Sequence, residues 1–188
     1  MRKIYLCRHG STKWSKTGQH TSTTDLPLLE EGKQEAIKLQ KPLHRKLFAK
    51  VFSSPMKRAI DTASFAGFTD LILDPDFSEW NYGSYEGKTT EEIRAKVPNW
   101  SIFLQGAPGG ETCKEIEERA KRAIEKMKEI EGDLLVFSHG HFIRVLGAVW
   151  VGLSAKEGRC LALGNGGVSI LSYERQFPVI ELWNGLIT

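Results

Sequence analysis

Two apolar runs far apart in this chain each end in a histidine followed by a glycine. Ile4, Tyr5, Leu6 and Cys7 lead into Arg8, His9 and Gly10, and Leu134, Leu135, Val136 and Phe137 lead into Ser138, His139 and Gly140. Runs of this length read as buried strands, and the glycines let the chain turn. In open α/β sheets, ligands bind just beyond the carboxyl ends of the strands. Two further residues follow strand-like runs: Arg58, after the run at 50–53, and Glu79, beyond the run at 70–73. Each has an ordinary structural reading when taken alone. Together, four strand ends supply two arginines, two histidines and one carboxylate, which are the parts needed for phosphoryl transfer through a covalent phosphohistidine. One imidazole attacks phosphorus. Arginines clamp the non-bridging oxygens and offset the charge spread over them in the transition state. A carboxylic acid protonates the departing alkoxide.

Positioning such a set requires a sheet with helices around it. Strand-like runs lie at 3–7, 50–53, 70–73, 133–138, 167–173 and 177–183. The first four alternate with helical patterns, which predicts a largely parallel sheet. The last two are separated by Glu174, Arg175 and Gln176, so they read as a hairpin that gives the sheet an antiparallel edge strand. The clearest helix starts at Thr112, which stands in capping-box spacing with Glu115; Ile116, Ala120, Ile124, Met127 and Ile130 form its apolar stripe. Its opposite face, with Glu117, Lys121, Glu125 and Lys128, reads as solvated. Other helices are predicted over 31–41, stopping before Pro42, after Pro55 and after Gly140. The segment 78–110, rich in aromatics and glycines, reads as an excursion covering the strand ends.

Composition narrows the class. The 188 residues suit one domain spanning 1–188, and 40% hydrophobic with 26% charged residues is ordinary for a soluble protein. A net charge of +3 argues for neither nucleic acid nor an anionic membrane as partner. Cys7, Cys113 and Cys160 are widely spaced, with no CxxC pair. That pattern suits free thiols in a reducing cytoplasm and argues against a disulfide framework or a zinc site. The beginning MRKIYLC lacks a signal-peptide core, and no run reaches membrane-spanning length. The localisation expected is cytoplasmic.

The motif Arg8, His9, Gly10, Ser11, Thr12, Lys13, Trp14, Ser15, supported by Ser53–Ala59 and by Ser138, His139, Gly140, His141, resembles the histidine phosphatase superfamily in its phosphoglycerate-mutase-like branch. The likeness runs over essentially the whole chain. It implies a three-layer α/β/α sandwich and a metal-independent, cofactor-free phosphomonoesterase acting on small phosphorylated metabolites such as sugar phosphates or bisphosphates. It makes His9 the nucleophile, Arg8, Arg58 and His139 the phosphate clamp, and Glu79 the proton donor. The stretches Thr17–Leu28 and Glu79–Gly87 are more similar to acid-phosphatase and sedoheptulose-bisphosphatase-like members than to mutases, which usually carry arginine where Trp80 stands. Mutases are also longer, with insertions that shield the phosphohistidine from water. Two rival readings stand beside this one: a phosphoglycerate mutase, and a catalytically silent member that binds phosphorylated ligands or a protein.

Further residues follow from the same likeness. Many relatives have Asn at the position of Ser15, whose hydroxyl is expected to donate to a phosphate oxygen instead. Relatives often have Thr where Leu29 stands, and its absence should weaken the cap of the next helix by roughly 1 kcal/mol. Gln19, His20, Thr21 and Tyr82 are expected to contact the organic part of the substrate. Glu86 competes with Glu79 as the acid. Glu111 is expected to have a structural or supporting role, and His141 and Arg144 are read as orienting the loop after His139 or sitting on the core side of the helix.

Overall fold

The computed structural model describes residues 2–185. Its six strands are β1 (Ile4–Arg8), β2 (Phe48–Ser53), β3 (Ile72–Leu73), β4 (Asp133–Ser138), β5 (Val168–Glu174) and β6 (Phe177–Gly185), in the order β3-β2-β4-β1-β5-β6. Strands β1 to β4 are mutually parallel where they pair, whereas β5 runs against both β1 and β6. The predicted hairpin is present, with Glu174 opposite Phe177. From β1 the chain moves out to β2 and β3. It then returns to place β4 between β1 and β2, and leaves for β5 on the other side. This reversal of strand order lies at the β1/β4 pair.

Helices cover both faces. On one side lie α2 (Glu30–Lys38), α3 (Gln40–His44) and α4 (Lys57–Phe65), and on the other α7 (Cys113–Lys128) and α8 (Gly140–Trp150). Three shorter helices, α1 (Lys13–Thr17), α5 (Thr90–Arg94) and α6 (Ile102–Gln105), sit in the connections. The period-2 alternation of the central strands sorts the core. Ile4, Leu6, Leu134 and Val136 face α7, α8 and the 77–103 segment, while Tyr5, Cys7, Leu135 and Phe137 face Leu39, Leu43, Ala63 and Ala66. The result is the expected three-layer sandwich.

Local signals explain most element ends. Thr112 and Glu115 form both halves of the predicted capping box, and the Arg2 guanidinium closes the far end of α7 by donating to the carbonyls of Met127, Lys128 and Ile130. Burial of Ile116, Ile124 and Met127, at about 1.5–3 kcal/mol each, outweighs the exposed pairs Lys121–Glu117 and Lys114–Glu118, which contribute at most about 1 kcal/mol each. Ile130 lies past the helix end. Helix α2 starts at Leu29 with no side-chain cap, as read from the sequence.

One boundary differs from expectation. The predicted helix over 31–41 breaks at Leu39, and Pro42 lies inside α3. It is the third residue of that helix, a first-turn position whose N–H would have no intrahelical partner, so proline is tolerated there. The excursion 78–110 is more ordered than predicted, because α5, α6 and a 3₁₀ turn at Gly83–Tyr85 fold within it. Trp80, Tyr82, Trp100 and Phe103 pin it to the core on the α7/α8 side. Among the described residues, no helix is long and apolar enough to cross a membrane.

Candidate active site

The β1/β4 register puts Arg8 opposite Ser138, so the chain emerges from two adjacent parallel strands with His9 and His139 side by side. The His9 N–H donates to Ser138 O at 2.9 Å, and the two imidazoles meet edge to face with centroids 5.2 Å apart. The loop after His9 is seated on α2. Gly10 and Gly32 pass so closely that a Cβ on Gly32 would lie 2.3 Å from Ser11 O, and one on Gly10 would lie 2.3 Å from Gly32 O. Glu35 of α2 then accepts from the Ser11 N–H and hydroxyl, both at 2.8 Å.

Hydrogen bonds set the tautomers of both histidines. His9 Nδ1 lies 2.8 Å from Gly10 O, which can only accept. The proton is therefore on Nδ1, and Nε2 carries a lone pair. Burial, and then the charges of Arg8 and Arg58, push the His9 pKa well below its ordinary value, so the ring is neutral. His139 has the opposite tautomer: its Nδ1 accepts from Arg58 Nε at 3.2 Å, leaving Nε2–H to donate to Ser54 Oγ at 2.8 Å. Burial and Arg58 keep His139 neutral as well.

Arg8 and Arg58 differ in what they have left to offer. Arg8 Nη1 donates to Leu163 O at 2.6 Å, but among the described residues its buried Nε has no acceptor. Gly140 lets α8 come this close, since a Cβ there would lie 3.1 Å from Arg8 Nε. Arg58 is fully buried, and besides His139 it donates to the carbonyls of Thr21, Ser22 and Thr24, with Asp25 at 3.8 Å. Its donors therefore bind the 21–24 loop together in this structure. Thr62 steadies both ends of this region: its hydroxyl donates to Arg58 O and accepts from the Gly10 N–H.

Glu79 is 8% exposed at the N-terminus of α8. Its Oε1 accepts from the Trp80 and Phe142 N–H groups at 2.9 Å, and its Oε2 accepts only from the His141 N–H, at 3.1 Å. Oε2 is thus the oxygen with room for a further partner. Glu86 is placed differently. It accepts from the N–H groups of Ser22 and Thr24 and from the Ser22 hydroxyl, and it does not border the cavity.

A cavity of about 240 Å³ opens over this arrangement, with Arg8, His9, Glu79, Tyr82, His141 and Arg144 on its walls. Arg58 and His139 are fully buried and do not line it. Ser15, Gln19, His20 and Thr21 also border the cavity, but not all as the sequence reading has them. The Ser15 hydroxyl accepts from the Thr12 N–H and Asn165 Nδ2 and donates its one hydrogen to Thr12 O, closing a capping box on α1. Gln19 is held at both ends of its amide, by Thr17 and by Gly87 O, and the Thr21 hydroxyl donates to Gln19 O. His20 packs on Tyr82 with centroids 4.7 Å apart, and burial lowers its pKa to about 4. Tyr82, whose pKa burial raises well above the ordinary value, keeps its proton, and its hydroxyl is hydrogen-bonded to His141 Nδ1 at 2.5 Å.

Several supporting residues escaped the sequence reading. Arg119 donates to the carbonyls of Asp76, Ser78 and Glu79 and is gripped by both Glu111 oxygens at 2.7 Å, so it sets the backbone that carries Glu79. A signal existed: Arg119 stands between Ile116 and Ala120 on the buried side of α7. Ser54 lies inside the motif at 53–59, yet its role as the partner of His139 depends on tertiary placement. Asn165 donates to the hydroxyls of both Ser11 and Ser15, and nothing in the local sequence marks it. Among the described residues, no three His, Cys, Asp or Glu side chains cluster closely enough to hold a metal ion.

Known proteins resemble this chain along most of its length. The model of the histidine phosphatase superfamily (branch 1) matches residues 4–185. An acid phosphatase of Mycobacterium tuberculosis is 35% identical over 194 aligned positions, which cover 96% of this chain and 92% of the relative. A sedoheptulose 1,7-bisphosphatase of Saccharomyces cerevisiae is 33% identical, over 82% of this chain and 69% of the relative. A solved structure of an open reading frame from Mycobacterium tuberculosis superposes with a TM-score of 0.95 at 34% identity, covering 97% of each chain.

Proposed function

This chain belongs to the histidine phosphatase superfamily, and from that membership we propose that it hydrolyses small phosphate monoesters through a phosphohistidine formed on His9. Sugar phosphates and bisphosphates are the substrates in view. One observation carries the reading: a neutral imidazole with a free Nε2 lone pair stands beside a buried Arg8 Nε–H that has no acceptor among the described residues. A phosphoryl group answers both, offering an electrophilic phosphorus to the imidazole and an anionic oxygen to the guanidinium.

In the first step His9 Nε2 attacks phosphorus while the ester P–O bond opens, and the leaving oxygen takes a proton from Glu79 Oε2. Arg8 Nε binds a non-bridging oxygen, and Arg58 and His139 exchange their mutual hydrogen bond for others. In the second step a water molecule attacks the phosphohistidine and the P–N bond breaks. Glu79 takes the proton of the water, and inorganic phosphate leaves with His9 restored. Both guanidinium charges already act on His9. A unit charge about 4 Å away is worth about 4 kcal/mol at an effective dielectric constant of about 20, so two arginines can neutralise the transferring group without a divalent cation.

Brief exposure to ³²P-labelled ester followed by quenching without acid should leave label on His9, and His9→Ala should be folded and inactive. Label on His139, or substantial turnover by His9→Ala, would overturn the assignment. Isomerisation of 3-phosphoglycerate, primed with 2,3-bisphosphoglycerate, at a rate above the hydrolysis of every ester tested would show a mutase instead.

A further inference from the structure

Helix α8 presents Gly140, His141 and Arg144 to the main cavity. Gly140 abuts the Arg8 guanidinium and so marks the end where the scissile phosphate would lie. Arg144 follows four residues later on the same face, about 6 Å along the axis at 1.5 Å per residue. Its guanidinium is half-buried and rigidly held. Nε donates to Gly158 O and Nη2 to Arg159 O, each at 3.1 Å, and its centre lies 4.5 Å from the Phe103 ring centroid.

Holding those two carbonyls uses two of its N–H groups and supplies it with no ion-pair partner. Arg119 has the Glu111 carboxylate and Arg58 has Asp25 at 3.8 Å, whereas Arg144 forms no ion pair among the described residues. Burial lowers its pKa most; the more distant Glu79 opposes this, and the charge of Arg8 adds to it. An anion in the cleft would offset both the burial and the Arg8 charge.

A second cavity, of about 190 Å³, adjoins the first across His20, Thr90, His141 and Arg144, and Arg94 and Arg159 stand on its walls. Arg94 uses only Nε, on Trp100 O at 2.8 Å, and forms no ion pair among the described residues; Arg159 is partly neutralised by Glu157 at 3.2 Å. Among the described residues, no carboxylate lines this cavity. The two histidines between the cavities are held neutral by burial, so the arginines set the sign of the field.

We propose that Arg144, backed by Arg94, is a second anion-binding point that selects phosphate esters carrying a further acidic group, phosphate or carboxylate, about one helical turn from the scissile ester. The inference rests on the reading of the main cavity as the phosphoryl-transfer site.

Paired substrates test it. For the purified chain, kcat/KM is compared for fructose 1,6-bisphosphate against fructose 6-phosphate, and for 3-phosphoglycerate against glycerol 3-phosphate. The doubly acidic member of at least one pair should be favoured about 10- to 100-fold, the usual worth of charge-assisted hydrogen bonds, and mainly through KM. Preference within the first pair assigns a phosphate to the subsite, and within the second a carboxylate. Arg144→Gln should bring the ratio close to one, with Arg144→Lys restoring part of it. Arg94→Gln, at an exposed position, should lower the ratio by a smaller factor and reads the subsite even if the Arg144 variants fail to fold. No preference in either wild-type pair, or a preference that survives both glutamine variants, would overturn the second site while leaving hydrolysis itself established. Release of phosphate from none of the four esters, nor from a chromogenic one, would refute the phosphatase reading on which it rests.

Discussion

Replacing Glu79 by Gln separates its chemical from its architectural part. The carboxylate accepts three backbone N–H groups, two on Oε1 and one on Oε2. Glutamine can keep its carbonyl oxygen under Trp80 and Phe142, but its NH₂ then faces the His141 N–H, donor against donor. Leaving that buried N–H without an acceptor is expected to destabilise the fold by roughly 1.5–3 kcal/mol. In a chain of 188 residues this corresponds to a Tm lower by roughly 3–12 °C, so the variant can be assayed folded at 20–25 °C. Loss of the proton donor should slow sugar-phosphate hydrolysis by about 10²–10⁴-fold, or about 3–5 kcal/mol of transition-state stabilisation. On p-nitrophenyl phosphate the loss should be far smaller, because p-nitrophenolate leaves without a proton. Steady-state kinetics on both esters, with a melting curve for each protein, gives the comparison. An equal loss on both would refute the argument and make Glu79 a positioning residue. Glu86→Gln should instead loosen the 22–24 loop and depress both activities alike; the leaving-group-selective pattern in that variant would move the acid there.

Further outcomes follow from the same geometry. His9, His139 and His141 are pushed well below the ordinary histidine pKa of 6.5 and His20 to about 4, each chiefly by burial. The unfolded chain therefore binds more protons below about pH 6.5, so stability is full above that value and falls as the pH drops from there towards 4, by up to about 1.4 kcal/mol per pH unit for each histidine. Urea denaturation at pH 7.5, 6 and 5 checks this, and a flat profile would contradict it. Gly32→Ala sets a methyl 2.3 Å from Ser11 O; overpacking of this kind costs roughly 1–3 kcal/mol. The displaced 9–11 loop should lower turnover on sugar and nitrophenyl esters equally, and wild-type rates would show that the close approach does not matter. Chelators should leave hydrolysis unchanged and vanadate should inhibit it, because the proposed mechanism places the neutralising charge on Arg8 and Arg58. Loss of activity on chelation with recovery on adding magnesium would be incompatible with the mechanism.

The parts of this protein legible in the one-dimensional chain are those governed by local rules. Period-2 and short apolar runs located the strands, capping chemistry located α7, and a histidine or arginine after an apolar run marked the rim where a parallel sheet exposes its ligand site. Residue type together with position after a strand-like run nominated Arg8, His9, Arg58, Glu79 and His139, because imidazole, guanidinium and carboxyl groups at adjacent strand ends supply a nucleophile, a clamp and an acid.

What the chain alone did not contain is how each polar hydrogen is used. The histidine tautomers depend on Gly10 O for His9, and on Arg58 and Ser54, more than 80 residues away, for His139. The Ser15 hydroxyl has the right chemistry for a phosphate ligand, yet its one hydrogen is directed to Thr12 O. Arg119 acquires its role only because α7 packs against the 76–79 segment, and Asn165 only because the 163–166 loop folds back onto Ser11. Donor and acceptor pairing in a buried site is a property of three-dimensional proximity, and buried polar groups must find partners wherever the fold places them. Sequence periodicity determines which residues reach the rim, and tertiary packing alone decides which lone pairs and N–H groups remain free there for a substrate.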